Sequence, residues 1–428
     1  MANGTKTSVD SMEIKRDIYL NRLINRKNNG MIKVVTGVRR SGKSYLLFHL
    51  FYNYLLQTGV DDEHIIKLAL DDRMNKRYRN PDTLCDYVHQ RIKDHGTYFI
   101  LLDEVQFVSE FEDVLNSFLH IENADTYVTG SNAKFLSKDI ITEFRGRGDE
   151  IRIFPLNFRE FMQVYQGDKV SALDEYMTYG GLPQVVQLNS EEQRIAYLKN
   201  LFEETYITDI RERYGIKRDE ELAETINIVA SSIGGLVNPT KIANTFATVK
   251  QTSISRATVT AYLEYLCDSF LMEKALRYDV KGRKYIDTPF KCYFVDCGLR
   301  NARLNFRQIE MTHLMENVIY NELRVRGFNV DVGSVTVRAI DENGTRRQQQ
   351  LEIDFVCNMG SKRYYIQSAY RLNSVEKEQQ ERASLNSIDD SFKKIVIVGT
   401  PSLVHHDQDG ITTMSIYDFL LDENSLEL

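Results

Sequence analysis

Eight consecutive residues, Gly37-Val38-Arg39-Arg40-Ser41-Gly42-Lys43-Ser44, fit the pattern G-x-x-x-x-G-K-[ST] without a mismatch. Each residue type has a physical task. Gly37 and Gly42 permit a tight loop whose backbone N–H groups point inward at phosphate oxygens. The amino end of a following helix adds positive potential at the same spot. Lys43 brings a mobile charge to the β- and γ-phosphates, and the Ser44 hydroxyl is a ligand for Mg2+. About sixty residues further on, the apolar run Tyr98 to Leu102 ends in Asp103-Glu104. Asp103 can hold Mg2+ through water, and Glu104 can orient or deprotonate an attacking water. The chemistry these residues point to is attack of water on the γ-phosphate of a bound nucleotide.

Three further groups belong to the same argument. Thr126 to Thr129 leads into Gly130-Ser131-Asn132, where a polar side chain would sit beside the γ-phosphate. Asn132 is the favoured candidate and Ser131 its rival, with an ordinary turn as the alternative. Phe144-Arg145-Gly146-Arg147-Gly148 carries two arginines. Arg147 reaching a neighbouring subunit's phosphate would stabilise transition-state charge; a solvated loop explains it equally well. Arg39 and Arg40 either contact nucleotide or pair with Asp71 and Asp72.

These residues need strands to present them and helices after those strands. Apolar, β-branched runs alternate with helical periodicity through the first 160 residues or so, which predicts parallel α/β structure. The expected strands are Ile32 to Thr36, His64 to Leu70, Tyr98 to Leu102, Thr126 to Thr129 and Glu150 to Phe154. A helix from Ser44 to Gln57 places Leu47, Leu50, Phe51, Tyr54 and Leu55 on one face, with Gly59 as its stop. Another runs from Pro81 to about Asp94. Beyond Leu156 the pattern is helical, interrupted at Tyr179-Gly180-Gly181-Leu182-Pro183. Three helices and a short basic strand-like segment come after Lys217, and the last stretch returns to mixed α/β. The expected units are 1–160, 161–215, 216–305 and 306–428.

The chain has 428 residues, 42% of them apolar, and a net charge of −7. That supplies more than one core. No apolar run approaches the ~18–20 residues a membrane helix needs, and Met1 to Arg16 lacks the apolar centre of a signal peptide. Cys85, Cys267, Cys292, Cys297 and Cys357 are scattered and odd in number, so no disulfide framework is expected. Cys292 and Cys297 have no nearby His to complete a zinc site. A reduced cytoplasm, without a membrane partner, is the expected setting. The acidic balance argues against indiscriminate nucleic-acid coating but permits a local basic patch.

Thr36 to Ser44, Leu101 to Glu104, Thr129-Gly130-Ser131, Gly146-Arg147 and Phe154-Pro155-Leu156-Asn157-Phe158-Arg159-Glu160-Phe161 together resemble the AAA-type ATPases of bacteria and archaea. The narrower resemblance is to those with a carboxy-terminal domain of unknown function, often a winged helix plus a restriction-endonuclease-like fold. It implies a P-loop parallel sheet sandwiched by helices (1–160) and a helical extension (161–215). It further implies a winged-helix-like domain (216–305) and a small, degenerate endonuclease-like α/β domain (306–428). It also implies binding and hydrolysis of ATP with Mg2+ through Lys43, Ser44, Asp103, Glu104 and Ser131 or Asn132.

Asn238 to Ala243 and Ser255 to Phe270 resemble the two helices of a winged helix-turn-helix, with Arg256, Thr258 and Thr260 at the start of the recognition helix. Between Arg277 and Arg303 stand seven basic residues, Arg277, Lys281, Arg283, Lys284, Lys291, Arg300 and Arg303, against three acidic ones. Arg256 and Lys284 are therefore the candidate DNA contacts. Against this, Glu264 and Asp268 share a face with Thr260 and repel phosphates. In the last unit Asp354, and Glu316 on a helix from Leu314 to Arg326, match part of a nuclease metal site. Gln367 and Ala369 stand where Glu and Lys are expected, so cleavage is not. The expected activity is an ATP-driven switch or motor, alone or as an oligomer. Its alternatives are an ATP-regulated DNA-binding protein and a protein-interaction switch with slow hydrolysis.

Overall fold

Five segments of the amino-terminal half become five parallel strands: β1 (Ile32–Thr36), β2 (Ile65–Ala69), β3 (Tyr98–Asp103), β4 (Ala124–Thr129) and β5 (Gly148–Arg152). The computed structural model describes residues 13–130, 146–250, 252–340, 346–372 and 374–428. The sheet order is β2-β3-β4-β1-β5, with every neighbouring pair parallel. The inner strands β1, β3 and β4 are almost wholly buried because both faces are covered, whereas the edge strand β5 is more polar and only partly buried. Val35, Leu101 and Tyr127 pack with Leu46, Leu50 and Phe51 of the helical stretch after the phosphate loop. Their neighbours Val34, Ile100 and Val128 face the other way, onto Leu84, Val88 and Leu115 of helices Pro81–Arg91 and Phe111–Phe118. The sandwiched parallel sheet is the expected one.

Two local departures are informative. The stretch after the loop opens as an α-helix at Lys43–Tyr45, widens to a π-helix over Leu46–Phe51 and closes as Tyr52–Gln57. Widening of this kind is frequent near functional sites. The fifth strand lies earlier than expected, yet Ile153 still donates its N–H to Thr36 O at 2.9 Å.

The rest of the chain is built on a mixed sheet. Its strands are β6 (Leu236–Val237), β7 (Met272–Asp279), β8 (Lys284–Phe294), β9 (Asn329–Ile340), β10 (Arg346–Met359), β11 (Lys362–Ala369), β12 (Lys393–Val398), β13 (His405–His406) and β14 (Ile411–Ser415). Their order is β13-β14-β12-β11-β10-β9-β7-β8-β6. Helices Asp219–Ser231, Pro239–Thr245 and Arg256–Asp268 precede the β7–β8 hairpin. That hairpin is continuous with the carboxy-terminal strands, because Arg277, Tyr278 and Asp279 pair in parallel with Val332, Gly333 and Ser334 of β9. The sheet thus runs across residue 305. Packing likewise crosses residue 160, since Phe158, Phe161 and Leu173 bury against Leu314, Ile319 and Phe355. Among the described residues no helix is long and apolar enough to cross a membrane.

Candidate functional site

The phosphate loop leaves the carboxyl end of β1, where open α/β sheets gather their ligands. Gly37 has φ +140°, and a Cβ there would stand 2.2 Å from Ile153 O, so only glycine fits. Lys43 is 4% exposed. Its Nζ donates to Gly37 O at 3.0 Å and Val38 O at 3.1 Å. Burial pulls its pKa down to about 8, against the opposing pull of the Glu104 and Asp103 carboxylates.

Asp103 ends β3, one strand removed from β1. The Thr129 hydroxyl on β4 donates to its Oδ1. Burial pushes the Asp103 pKa up, and the hydrogen bond from Thr129 works against that rise. The Ser44 hydroxyl and the Asp103 carboxylate are hard oxygen donors of the kind that suits Mg2+. Thr129 Oγ1 also accepts the Glu104 N–H at 3.0 Å. Glu104 itself sits at φ +53°, a left-handed conformation that costs an L-residue roughly 1–2 kcal/mol. Such strain gathers at functional positions. Its Oε2 accepts from the Gln106 amide.

A cleft of about 850 Å³ joins these groups, lined by Arg39, Arg40, Gly42, Lys43, Ser44 and Glu104. Its second wall comes from the helical extension: Pro183, Gln184, Tyr197, Asp209, Glu212 and Arg213. Arg39 pairs with Asp209 at 2.9 Å rather than with Asp71 or Asp72. Arg40 lines the cleft. Ser41 is fully buried, does not line the cleft, and has a buried hydroxyl without a hydrogen-bond partner. Ser131, Asn132 and Arg145 lie outside the described residues. Arg147 is exposed and its carbonyl accepts the N–H of Ile32, at the start of β1. Five residues of strand, about 16 Å, separate that end from the loop. Arg147 therefore does not serve the site of its own chain, and a role in catalysis requires a second copy.

Sequence reasoning missed Arg16. Its guanidinium is 2% exposed and bonds both oxygens of Glu160, at 3.2 and 3.0 Å. It also donates to Phe154 O and to Ser41 O, both at 2.8 Å. Glu160 closes a capping box with Asn157. The Phe154-to-Phe161 segment is thus a brace for the phosphate loop, and an isolated Arg before the first helix gave no pattern to find it by. Arg16→Met is expected to cost about 3–5 kcal/mol, because Glu160 is left buried and unpaired. Adding Glu160→Gln should recover part of that stability while nucleotide affinity stays low, since Ser41 O has still lost its donor. Denaturant unfolding alongside a fluorescent-nucleotide titration separates the two effects. Affinity returning together with stability would mean that Arg16 serves the fold alone.

The basic stretch ahead of residue 305 is less positive at the surface than its count implies. Arg300 is buried on Ala230 O, and Arg303 pairs with Glu203. Lys291 is buried among carboxylates. Lys281, Arg283 and Lys284 remain exposed at the hairpin end, as does Arg256 behind the Ser255 cap of its helix.

An uncharacterized protein of Haemophilus influenzae is 33% identical to this chain over 417 residues, spanning 95% of this chain and 98% of its own. The chain belongs to its family. An uncharacterized protein of Methanocaldococcus jannaschii is 28% identical over 393 residues, covering 88% of this chain and 82% of that one. Residues 29–162 match an AAA domain, and residues 170–310 match a domain of unknown function, DUF8612. The first match takes in the phosphate loop, the Asp103-Glu104 pair and all five parallel strands, so this part is a P-loop domain of AAA type. Among solved structures, Aeropyrum pernix ORC1 in complex with DNA aligns with a TM-score of 0.29 and 12% identity, covering 69% of this chain and 94% of that one. Protein VC1899 from Vibrio cholerae aligns with a TM-score of 0.22 and 12% identity, covering 93% and 97%. Scores at this level do not establish a shared overall fold.

Proposed function

We propose that this protein hydrolyses Mg2+-ATP and uses the cycle as a molecular switch or motor. The observation that carries the reading is one cleft lined by Lys43, Ser44 and Glu104, with Asp103 buried at the adjoining end of β3. Ser44 and Asp103 would hold the ion, which supplies charge neutralisation at the phosphate oxygens. Lys43 exchanges its two loop carbonyls for the β- and γ-phosphates. Glu104 orients the attacking water and takes its proton. Tyr45, Phe107 and Tyr197 on the cleft walls offer aromatic faces to a nucleobase. The helical extension closes over the nucleotide, so that Arg39 and Asp209 report its presence to the rest of the chain.

In this reading the three helices with the β7–β8 hairpin form a winged-helix-like unit, and β9 to β14 form an endonuclease-like unit without cleavage chemistry. ATP-regulated DNA contact is the second reading. It is favoured by exposed Arg256, Lys281, Arg283 and Lys284 and opposed by exposed Glu264 on the same helix as Arg256. ATPase rate measured with and without duplex DNA, over a range of protein concentration, tests both readings. A DNA-stimulated rate that falls steeply with salt, and is lost in Arg256→Glu/Lys284→Glu, is the expected signature of DNA contact. Specific activity rising with protein concentration, and lost in Arg147→Ala, is the signature of an arginine acting between copies. A purified protein without nucleotide turnover under any of these conditions overturns the main reading.

A further inference from the structure

Lys291 on β8 extends into the carboxylates of the carboxy-terminal sheet and is 2% exposed there. Its Nζ stands 2.8 Å from Glu316 Oε1 on helix Met311–Val325. Two residues of β10 complete the shell, Glu352 Oε1 at 2.7 Å and Asp354 Oδ1 at 3.5 Å. Those carboxylates are oriented by neighbours. The Tyr293 hydroxyl donates to Glu316 Oε1 at 2.6 Å, and the Ser368 N–H donates to Asp354 Oδ2 at 2.8 Å. Asp354 N–H in turn donates to Gln367 Oε1 at 3.3 Å.

The charge does not balance. Three carboxylates surround one ammonium, all of them hard oxygen donors of the kind that Mg2+ and Mn2+ take. Among the described residues no group of three His, Cys, Asp or Glu is arranged to hold a metal. Oxygens at 2.7–3.5 Å from Nζ need to close in by well under ~2 Å to reach a divalent ion at about 2.0–2.6 Å.

We propose that Lys291 is the resident cation of a latent divalent-metal site, its ammonium filling the place among Glu316, Glu352 and Asp354 that Mg2+ or Mn2+ would take. The same side chain ties the β7–β8 hairpin to the carboxy-terminal sheet. This part of the chain is therefore closed to metal by its own lysine, whatever the first domain does with ATP.

The test is Mn2+ binding to the full-length protein without nucleotide, monitored by loss of the free-Mn2+ electron paramagnetic resonance signal. Wild type, Lys291→Ala, Lys291→Met and Lys291→Ala/Asp354→Asn are compared, so any Mn2+ held elsewhere is common to all. Lys291→Ala or Lys291→Met is expected to bind one more Mn2+ per chain than wild type, at least ~10-fold more tightly than wild type binds any ion there. Asp354→Asn should abolish the gain. If removing the lysine unfolds the protein, added Mn2+ should restore a cooperative thermal transition in the single variants and not in the double. Folded single variants binding no more Mn2+ than wild type would overturn the proposal. So would a gain that survives Asp354→Asn, or unfolded variants that Mn2+ does not rescue.

Discussion

Lys43→Ala is expected to reduce ATP turnover at least about 10²–10³-fold, the cost of removing one preorganised charge from a transition state. Binding should fail with it. The wild-type lysine loses little by leaving Gly37 O and Val38 O for phosphate, because the loop already buries it and lowers its pKa to about 8. That lowered value adds a pH signature. Above pH 8 the free protein's lysine is increasingly neutral, while a bound triphosphate draws the proton back. Nucleotide affinity should therefore fall by up to about tenfold per pH unit from about 8 upward, with proton uptake on binding. Calorimetry at pH 8.5 in two buffers of different ionisation enthalpy measures that uptake directly. The sign for stability is the reverse. The unfolded lysine still holds its proton between about 8 and 10.5, so this group's contribution to stability rises with pH across that window. A Lys43→Ala protein with undiminished turnover and affinity would remove the loop from the mechanism.

The chemistry-bearing residues of the first domain were legible because each sits in a contiguous run whose composition its task dictates. Gly37 must be glycine against Ile153 O, and Asp103 ends the fully buried strand β3. What was illegible depends on pairs far apart in the chain. Arg16 and Glu160 are separated by 144 positions and carry no periodic signal. The cleft's second wall, from Pro183 to Arg213, looks in sequence like ordinary amphipathic helix. Lys291 is the sharpest case. In the linear sequence it adds to a basic stretch that resembles a DNA-facing hairpin, and in the fold it is buried among three carboxylates. The β7–β9 pairing that brings this about joins residues some fifty positions apart, and no local preference announces it. A count of charges along a segment is a surface property only after each charge has been assigned a face.

Glu104→Gln separates binding from chemistry. The substitution keeps the size of the side chain and the left-handed backbone that Thr129 Oγ1 holds through the Glu104 N–H. It removes the carboxylate that takes the proton from water in the proposed mechanism, while Asp103 and Ser44 are left unchanged. Nucleotide affinity should stay within a few-fold of wild type, and single-turnover hydrolysis should drop by about 10²–10⁴, the usual value of a positioned general base. The neighbouring Gln106, whose amide donates to the Glu104 carboxylate, is the control. Gln106→Ala loosens that orientation without removing the base, so it should slow hydrolysis far less. If Glu104→Gln instead lost affinity and kept its rate, the carboxylate would be a binding group and the attacking water would need another partner in the cleft.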